Sequence, residues 1–124
     1  MAKPAEAVQL AHAYVALSNA HRAELIRPLF AANAVYRSSA VGEYRGAAAI
    51  AEMMQAFFAR YPDAFWLCEY YRFKAGRVSF EFSLQASDAG SGEHLQRSGI
   101  ESICFDADGL ISKLEVIATG DVES

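Results

Sequence analysis

The first half of the chain carries apolar residues at helical spacing. Between Pro4 and about Ser18 they recur every three or four positions, as Ala7, Leu10, Ala11, Tyr14 and Leu17. A second, shorter helix is predicted from about Arg22 to Phe30, and Pro28 should kink or end it because proline cannot donate the helical hydrogen bond. A third helix is predicted between Gly46 and about Tyr61.

The second half changes to a period of two, which is typical of strands with one buried face. The clearest alternation runs from Arg77 to Ala86, where Val78, Phe80, Phe82 and Leu84 alternate with polar residues. Further strands are predicted at 34–38, 65–74, 94–105 and 110–119, with turns between them. Helices first and an antiparallel meander last predict a single α+β domain over residues 1–124, with the helices packed on one face of the sheet.

Composition and charge exclude several classes of function. A net charge of −4 and a pI near 5.3 argue against nucleic acid as a partner, since phosphate binding needs a basic face. The longest apolar run is far shorter than the roughly 20 residues that span a membrane, and Met1–Glu6 contains no signal-peptide core, so a cytoplasmic location is expected. The scattered histidines and the two cysteines, Cys68 and Cys104, do not form a metal-binding motif.

Short segments over most of the chain share the pattern of one known family. They are Tyr14-Val15-Ala16 with Asn19-Ala20, Leu29-Phe30-Ala31 with Ala34, Gly46 with Ile50 and Phe57, and Ile100-Glu101 with Phe105 and Gly109. In these segments and their order the chain resembles the ketosteroid isomerase and SnoaL-like branch of the nuclear transport factor 2-like superfamily. The resemblance implies a cone-shaped curved antiparallel sheet, with three N-terminal helices packed on its concave face around an apolar pocket. It implies no metal and no organic cofactor.

The resemblance also implies roles for three residues. In the isomerases a tyrosine of the first helix and a strand carboxylic acid, kept neutral by its apolar surroundings, donate hydrogen bonds to the oxyanion of the substrate. These positions fall on Tyr14 and on Glu101, which is one methylene longer than the aspartate of the family. The aspartate that moves the proton falls on Ser38, whose hydroxyl has no useful basicity near neutral pH.

The strand pattern gives independent information on Glu101. Leu95, Arg97, Ile103 and Phe105 share its face of the strand, so Glu101 is predicted to point inward as a neutral group in a cavity. The alternative is a twist or bulge that turns it to solvent. Arg97 lies on the same face roughly 13 Å away, too far for direct pairing in a regular strand. We also expect side chains from four predicted strands to contact a ligand: Tyr36, Ser38, Trp66, Phe80, Phe82 and Arg97.

Three functions stay open at this point. The first is an isomerase, cyclase or dehydratase acting on a small apolar carbonyl compound, with Tyr14 and Glu101 as hydrogen-bond donors. The second is a non-catalytic pocket for a hydrophobic small molecule, which Ser38 favours. The third is a dimerising scaffold. Both faces of the strand at 65–74 are apolar, so its inward face is undecided, and a homodimer through the outer face of the sheet would cover the other.

Overall fold

The computed structural model describes residues 3–123, and the side chains of residues 3–119. The helices are α1 (Pro4–Asn19), α2 (Ala23–Ile26) and α3 (Ala47–Arg60), and a 3₁₀ turn (Arg27–Leu29) follows α2. The strands are β1 (Phe30–Ser38), β2 (Gly42–Arg45), β3 (Phe65–Lys74), β4 (Arg77–Ser87), β5 (His94–Phe105) and β6 (Ile111–Glu123). No helix in residues 3–123 is both long and apolar enough to cross a membrane.

The six strands form one curved, open sheet in the order β2-β1-β6-β5-β4-β3. The predicted α+β class, with a cone-shaped sheet and three helices, is confirmed. One pairing differs from the antiparallel sheet that was expected: β1 runs parallel to β6, so the sheet is mixed. A parallel neighbour requires a long connection, and the whole of β2, α3, β3, β4 and β5 separates these two strands in the chain.

Two short elements differ from the prediction because they contain few residues. The second helix ends at Ile26, and the 3₁₀ turn that contains Pro28 leads directly into β1 at Phe30. No strand was predicted at Gly42–Arg45, which forms the edge strand β2, paired with the end of β1. Four residues are too few to show a period in the sequence, so only their pairing partner identifies them as a strand.

A bulge in β3 explains why its inward face was undecided. Trp66 and Cys68 are partly buried before the bulge, and Tyr71 and Phe73 are partly buried after it. Between these pairs the register against β4 shifts, and Tyr70 adopts a left-handed backbone conformation with φ of 60°. The extra residue moves the buried side from even to odd positions. Each face of the strand therefore supplies part of the inner wall.

The core lies between the helices and the concave face of the sheet. The largest fully buried side chains come from both layers, including Ile26, Ile50, Val78, Phe80, Leu84, Ile103, Ile111 and Leu114. Among the side chains of residues 3–119, only three polar or charged ones are buried: Ser18, Ser38 and Glu101. A buried carboxyl group is expensive unless it is neutral or paired. The surroundings of Glu101 therefore decide whether its carboxyl group is neutral or paired.

Candidate functional site

A cavity lies between α1, α3 and the concave face of the sheet. About 680 Å³ is free of atoms when the part that opens to solvent is counted, and about 60 Å³ of it is accessible to the centre of a water molecule. Most of its wall is apolar, and its largest side chains are Met53, Met54, Phe57, Phe58, Trp66 and Phe82. Its polar groups are few: Tyr14, Ser18, Tyr36, Ser38, Cys68, Arg97 and Glu101. A concave apolar site with a few convergent polar groups is typical of small-molecule binding.

The structure brings most of the predicted site residues to this one cavity. Its lining includes Tyr14, Tyr36, Ser38, Trp66, Phe82, Arg97 and Glu101. Phe80 is not among the residues that line the cavity, so its contact with a ligand stays a prediction. Phe80 points to the concave face but is covered by Tyr71, whose ring stacks on it with centroids 4.7 Å apart. His12 of α1 stacks on the other side of Tyr71 at 3.8 Å, so these three rings fill that region.

Sequence reasoning missed several lining residues. Ser18 lies four residues after Tyr14 on the same helix face, a signal that could have identified it. Cys68 was not predicted to be a site residue, and it is half-buried in the cavity wall. Burial, followed by the proximity of Glu101, raises the pKa of the Cys68 thiol to about 12. The lining residues of α3 lie on the apolar side of a predicted helix, and no sequence pattern distinguishes a core stripe from a cavity wall.

Glu101 occupies the middle of the sheet, between Phe80 of β4 and Val116 of β6. Its side chain is buried, and burial raises the pKa of the carboxyl group to about 8. Among residues 3–119, no hydrogen bond or salt bridge joins this carboxyl to another side chain. Every fully enclosed side-chain oxygen or nitrogen in that range has a hydrogen-bond partner. The carboxyl oxygens are therefore open to the cavity, and near neutral pH the group is mainly a protonated donor.

Tyr14 reaches the same cavity from α1. The hydroxyl of Ser18 donates a hydrogen bond to its backbone oxygen at 2.9 Å, and its ring packs edge-on against Phe30 with centroids 5.9 Å apart. Burial, and then the proximity of Glu101, raise the pKa of the Tyr14 phenol well above its usual value. Tyr14 therefore keeps its proton across the physiological range and can donate it in a hydrogen bond.

Ser38 ends β1 and uses its hydroxyl locally. The hydroxyl oxygen accepts hydrogen bonds from the backbone N–H groups of Ala40 at 3.1 Å and Val41 at 3.3 Å. These bonds form the turn that leads into β2. A hydroxyl in this position can contact a ligand but cannot accept a proton from one, which leaves the cavity without the carboxylate base of the isomerases.

Tyr36 lies within electrostatic reach of both charged residues of the cavity. Burial is the main cause that raises the pKa of its phenol; Glu101 raises it further and Arg97 lowers it. Arg97 and Glu101 share the inner face of β5, four residues apart, and no salt bridge joins these two side chains within the described part of the chain. This agrees with the separation of roughly 13 Å that a regular strand requires.

Two polar side chains hold the wall of the cavity in place. Asn19, at the end of α1, accepts a hydrogen bond from the backbone N–H of Trp66 at 2.7 Å and donates one to its carbonyl oxygen at 2.9 Å. His21 adopts a left-handed conformation, stacks on Phe58 with centroids 4.6 Å apart, and lies 2.7 Å from the carbonyl oxygen of Ala64. These contacts fix the edge strand β3 against the helices.

Within residues 3–123, no cluster of three or more histidine, cysteine, aspartate or glutamate side chains is arranged to hold a metal ion. The cavity lining is mainly apolar, and Arg97 is among its polar residues.

Comparison with known proteins identifies the family. Residues 11–114 match the family model of the SnoaL-like domain, which is most of the chain. The chain belongs to the SnoaL-like family. The predicted membership of the nuclear transport factor 2-like superfamily is thereby confirmed. No curated protein matches this SnoaL-like chain in sequence.

Solved structures share the SnoaL-like fold at low sequence identity. One is SalBIII, an epoxide hydrolase/cyclase-like enzyme in pyran ring formation of the polyether salinomycin. It has a TM-score of 0.81 and 12% identity, over 90% of this chain and 89% of that one. An LEH-like epoxide hydrolase of Mycobacterium tuberculosis has a TM-score of 0.80 and 14% identity, over 93% and 84%. A putative isomerase from Bacillus subtilis has a TM-score of 0.79 and 17% identity, over 92% and 86%. At these identities the likeness concerns the fold.

Proposed function

We propose that this SnoaL-like domain binds a small, largely apolar carbonyl or phenol compound, with Tyr14 and Glu101 donating hydrogen bonds to its oxygen. The observation that carries the proposal is the buried Glu101 carboxyl, which is open to the cavity and has a pKa of about 8. A neutral acid and a neutral phenol in one apolar cavity form a pair of donors for a single oxygen. The apolar wall, with Met54, Phe57 and Trp66, suits the rest of such a molecule.

An isomerase or cyclase reaction would use the same pair. Two donors stabilise negative charge on the oxygen when a neighbouring C–H bond loses its proton, and the low polarity of the site strengthens both hydrogen bonds. Because Ser38 cannot take that proton, we assign its transfer to a water molecule in the cavity, or to Glu101 in its ionised form, in which case Tyr14 is the donor to the oxygen. The proton is then returned to another carbon of the same compound, so that no co-reactant is consumed.

The test is the binding of 2-naphthol, followed by the fluorescence of Trp66, the only tryptophan. Tyr14→Phe and Glu101→Gln should each weaken binding about tenfold, because the first removes a donor to the naphthol oxygen and the second replaces a carboxylic acid by an amide, which is a weaker donor. The matched control is Tyr70→Phe, which removes a hydroxyl from an exposed tyrosine on β3 and should leave the affinity unchanged. Equal affinity in wild type and both cavity variants would refute the proposed donor pair.

A pH series gives a second, independent readout. Glu101 is a donor only while it is protonated, so the affinity of the wild type for 2-naphthol should fall as the pH rises through about 8. Glu101→Gln should remove that part of the pH dependence, because an amide donates at every pH in this range. An identical pH profile in wild type and variant would show that this carboxyl does not contact the ligand.

A non-catalytic binding protein is the second candidate function. The observation that favours it is Ser38, whose hydroxyl serves the turn at Ala40 and Val41 and offers no base. The two candidates differ in turnover: a β,γ-unsaturated ketone that binds competitively with 2-naphthol should be isomerised by an enzyme and recovered unchanged from a binding protein. Binding that depends on Tyr14 and Glu101, without turnover of an enone or an epoxide, would support the binding protein.

We also propose a homodimer through the outer face of the sheet. Large apolar side chains are exposed there on three strands: Phe65, Leu67, Tyr70, Ile100 and Ile117. Ile100 and Ile117 are paired on neighbouring strands and form an exposed apolar patch, and such patches are typical of protein interfaces. Sedimentation of the wild type should give twice the chain mass, and Ile117→Lys should give the monomer. A monomeric wild type at micromolar concentration would refute the dimer and leave the cavity proposal unaffected.

A further inference from the structure

Glu101 and Arg97 are polar residues of the cavity lining that lie apart on β5. Tyr14 lies within electrostatic reach of Glu101, and Tyr36 lies within reach of both. Arg97 and Glu101 project from the same face of β5 four residues apart, which corresponds to roughly 13 Å along a strand. The cavity therefore has a donor end for a neutral oxygen and a cationic end, at a fixed spacing.

Between these two ends the inner face of β5 carries a glycine. The residue midway between them on the same face is Gly99, and the backbone of β6 occupies the space beside it. A side chain cannot be placed there, since a Cβ at Gly99 would lie 2.1 Å from the backbone oxygen of Ile117. Phe82 is the neighbour of Gly99 on β4, and Met54 and Phe57 of α3 line the cavity as well. These apolar groups favour the body of a ligand over a chain of water molecules.

Arg97 has the chemistry to recognise an anionic group. A guanidinium presents five N–H donors in a planar fork, so it can bind a carboxylate through two parallel hydrogen bonds in addition to its contacts within the protein. A lysine at this position would offer a point charge without that geometry. The electrostatic effect of both Arg97 and Glu101 on Tyr36 is consistent with a cavity that extends between them.

We infer that the ligand of this cavity has two polar ends: a carbonyl or phenol oxygen bound by Tyr14 and Glu101, and a carboxylate bound by Arg97, on the order of 10 Å apart across a flat apolar body. The inference rests on the proposed function for its first end and adds the second. It makes the substrate class an apolar oxo or hydroxy acid, and a wholly neutral hydrophobic compound would bind less tightly.

The experiment compares three naphthalene probes of nearly equal shape. 6-Hydroxy-2-naphthoate carries both polar ends, its methyl ester lacks the charge, and 2-naphthol lacks the second group. We expect the wild type to bind the acid about tenfold more tightly than the ester or 2-naphthol, as a charged hydrogen-bonded pair requires. Equal or weaker binding of the acid in the wild type would overturn the inference without any variant.

Substitution then assigns the effect to Arg97. Arg97→Met should lower the affinity for the acid to that of the ester while changing the affinity for 2-naphthol by less than about twofold, and Arg97→Lys should retain part of the preference. Equal weakening of all three probes by Arg97→Met, with an unchanged melting temperature, would also overturn the inference. Failure of the proposed function is separate: Tyr14→Phe and Glu101→Gln would then leave binding of 2-naphthol unchanged.

Discussion

Replacing Glu101 by glutamine should make the domain more stable, and more so as the pH rises. The unfolded chain loses the proton of this carboxyl near its ordinary pKa of 4.5, whereas the folded chain keeps it up to about 8. Between these values the unfolded state binds fewer protons, so the free energy of unfolding falls as the pH rises. Glutamine has nearly the same shape and no charge to lose, so it removes this penalty.

The size of the effect follows from the two pKa values. One pKa unit corresponds to about 1.4 kcal/mol, so the penalty is about 1 kcal/mol at pH 5, about 3 kcal/mol at pH 7 and about 5 kcal/mol at pH 9. A small domain has a free energy of unfolding of about 5–15 kcal/mol. The ionisation of one side chain therefore costs a substantial part of the stability at alkaline pH.

The assay is urea unfolding of wild type and Glu101→Gln at pH 5, 7 and 9, followed by circular dichroism at one protein concentration. The difference in free energy of unfolding should grow by about 4 kcal/mol over this range. Glu81→Gln is the matched control, because Glu81 is exposed on the outer face of the neighbouring strand. A constant difference between wild type and Glu101→Gln would refute the reasoning and show that the carboxylate is hydrated or paired in the folded state.

Two further predictions concern the frame around the cavity. Gly99→Ala should lower the free energy of unfolding by about 3 kcal/mol, because the added methyl group meets the backbone oxygen of Ile117 at 2.1 Å; urea unfolding measures this, and a loss below about 1 kcal/mol would contradict it. Asn19→Ala should cost about 2 kcal/mol, because it removes both hydrogen bonds to the backbone of Trp66. Asn19→Ala should also shift the fluorescence emission of Trp66 to longer wavelength. An unchanged spectrum would show that the cavity wall does not depend on these two hydrogen bonds.

Much of the candidate site could be predicted because strand periodicity is a local property. The alternation along β4 and β5 predicted that Glu101 points inward, and its side chain is buried as expected. The same period placed Arg97 and Phe82 on that inner face, and both line the cavity. In a regular strand each side chain points opposite to its neighbours, so a few residues of unbroken pattern are enough to predict direction.

Other features depended on contacts that no local pattern encodes. The bulge at Tyr70 changes which side of β3 is buried, and it exists only relative to the register of β4. The parallel pairing of β1 with β6 joins segments far apart in the chain. Phe80 has the pattern of a cavity residue, but Tyr71 of another strand covers it.

The sequence by itself determined the class of the fold, the strands of the meander and the inward direction of Glu101, because these follow from the spacing of apolar residues along short segments. Only the tertiary structure decided which inward side chains border empty space and which are covered by another residue. That difference arises from the shape of the gap between two packed layers. A stripe such as Ile50, Met54 and Phe58 on α3 looks the same in the sequence, whether it meets a filled core or a cavity.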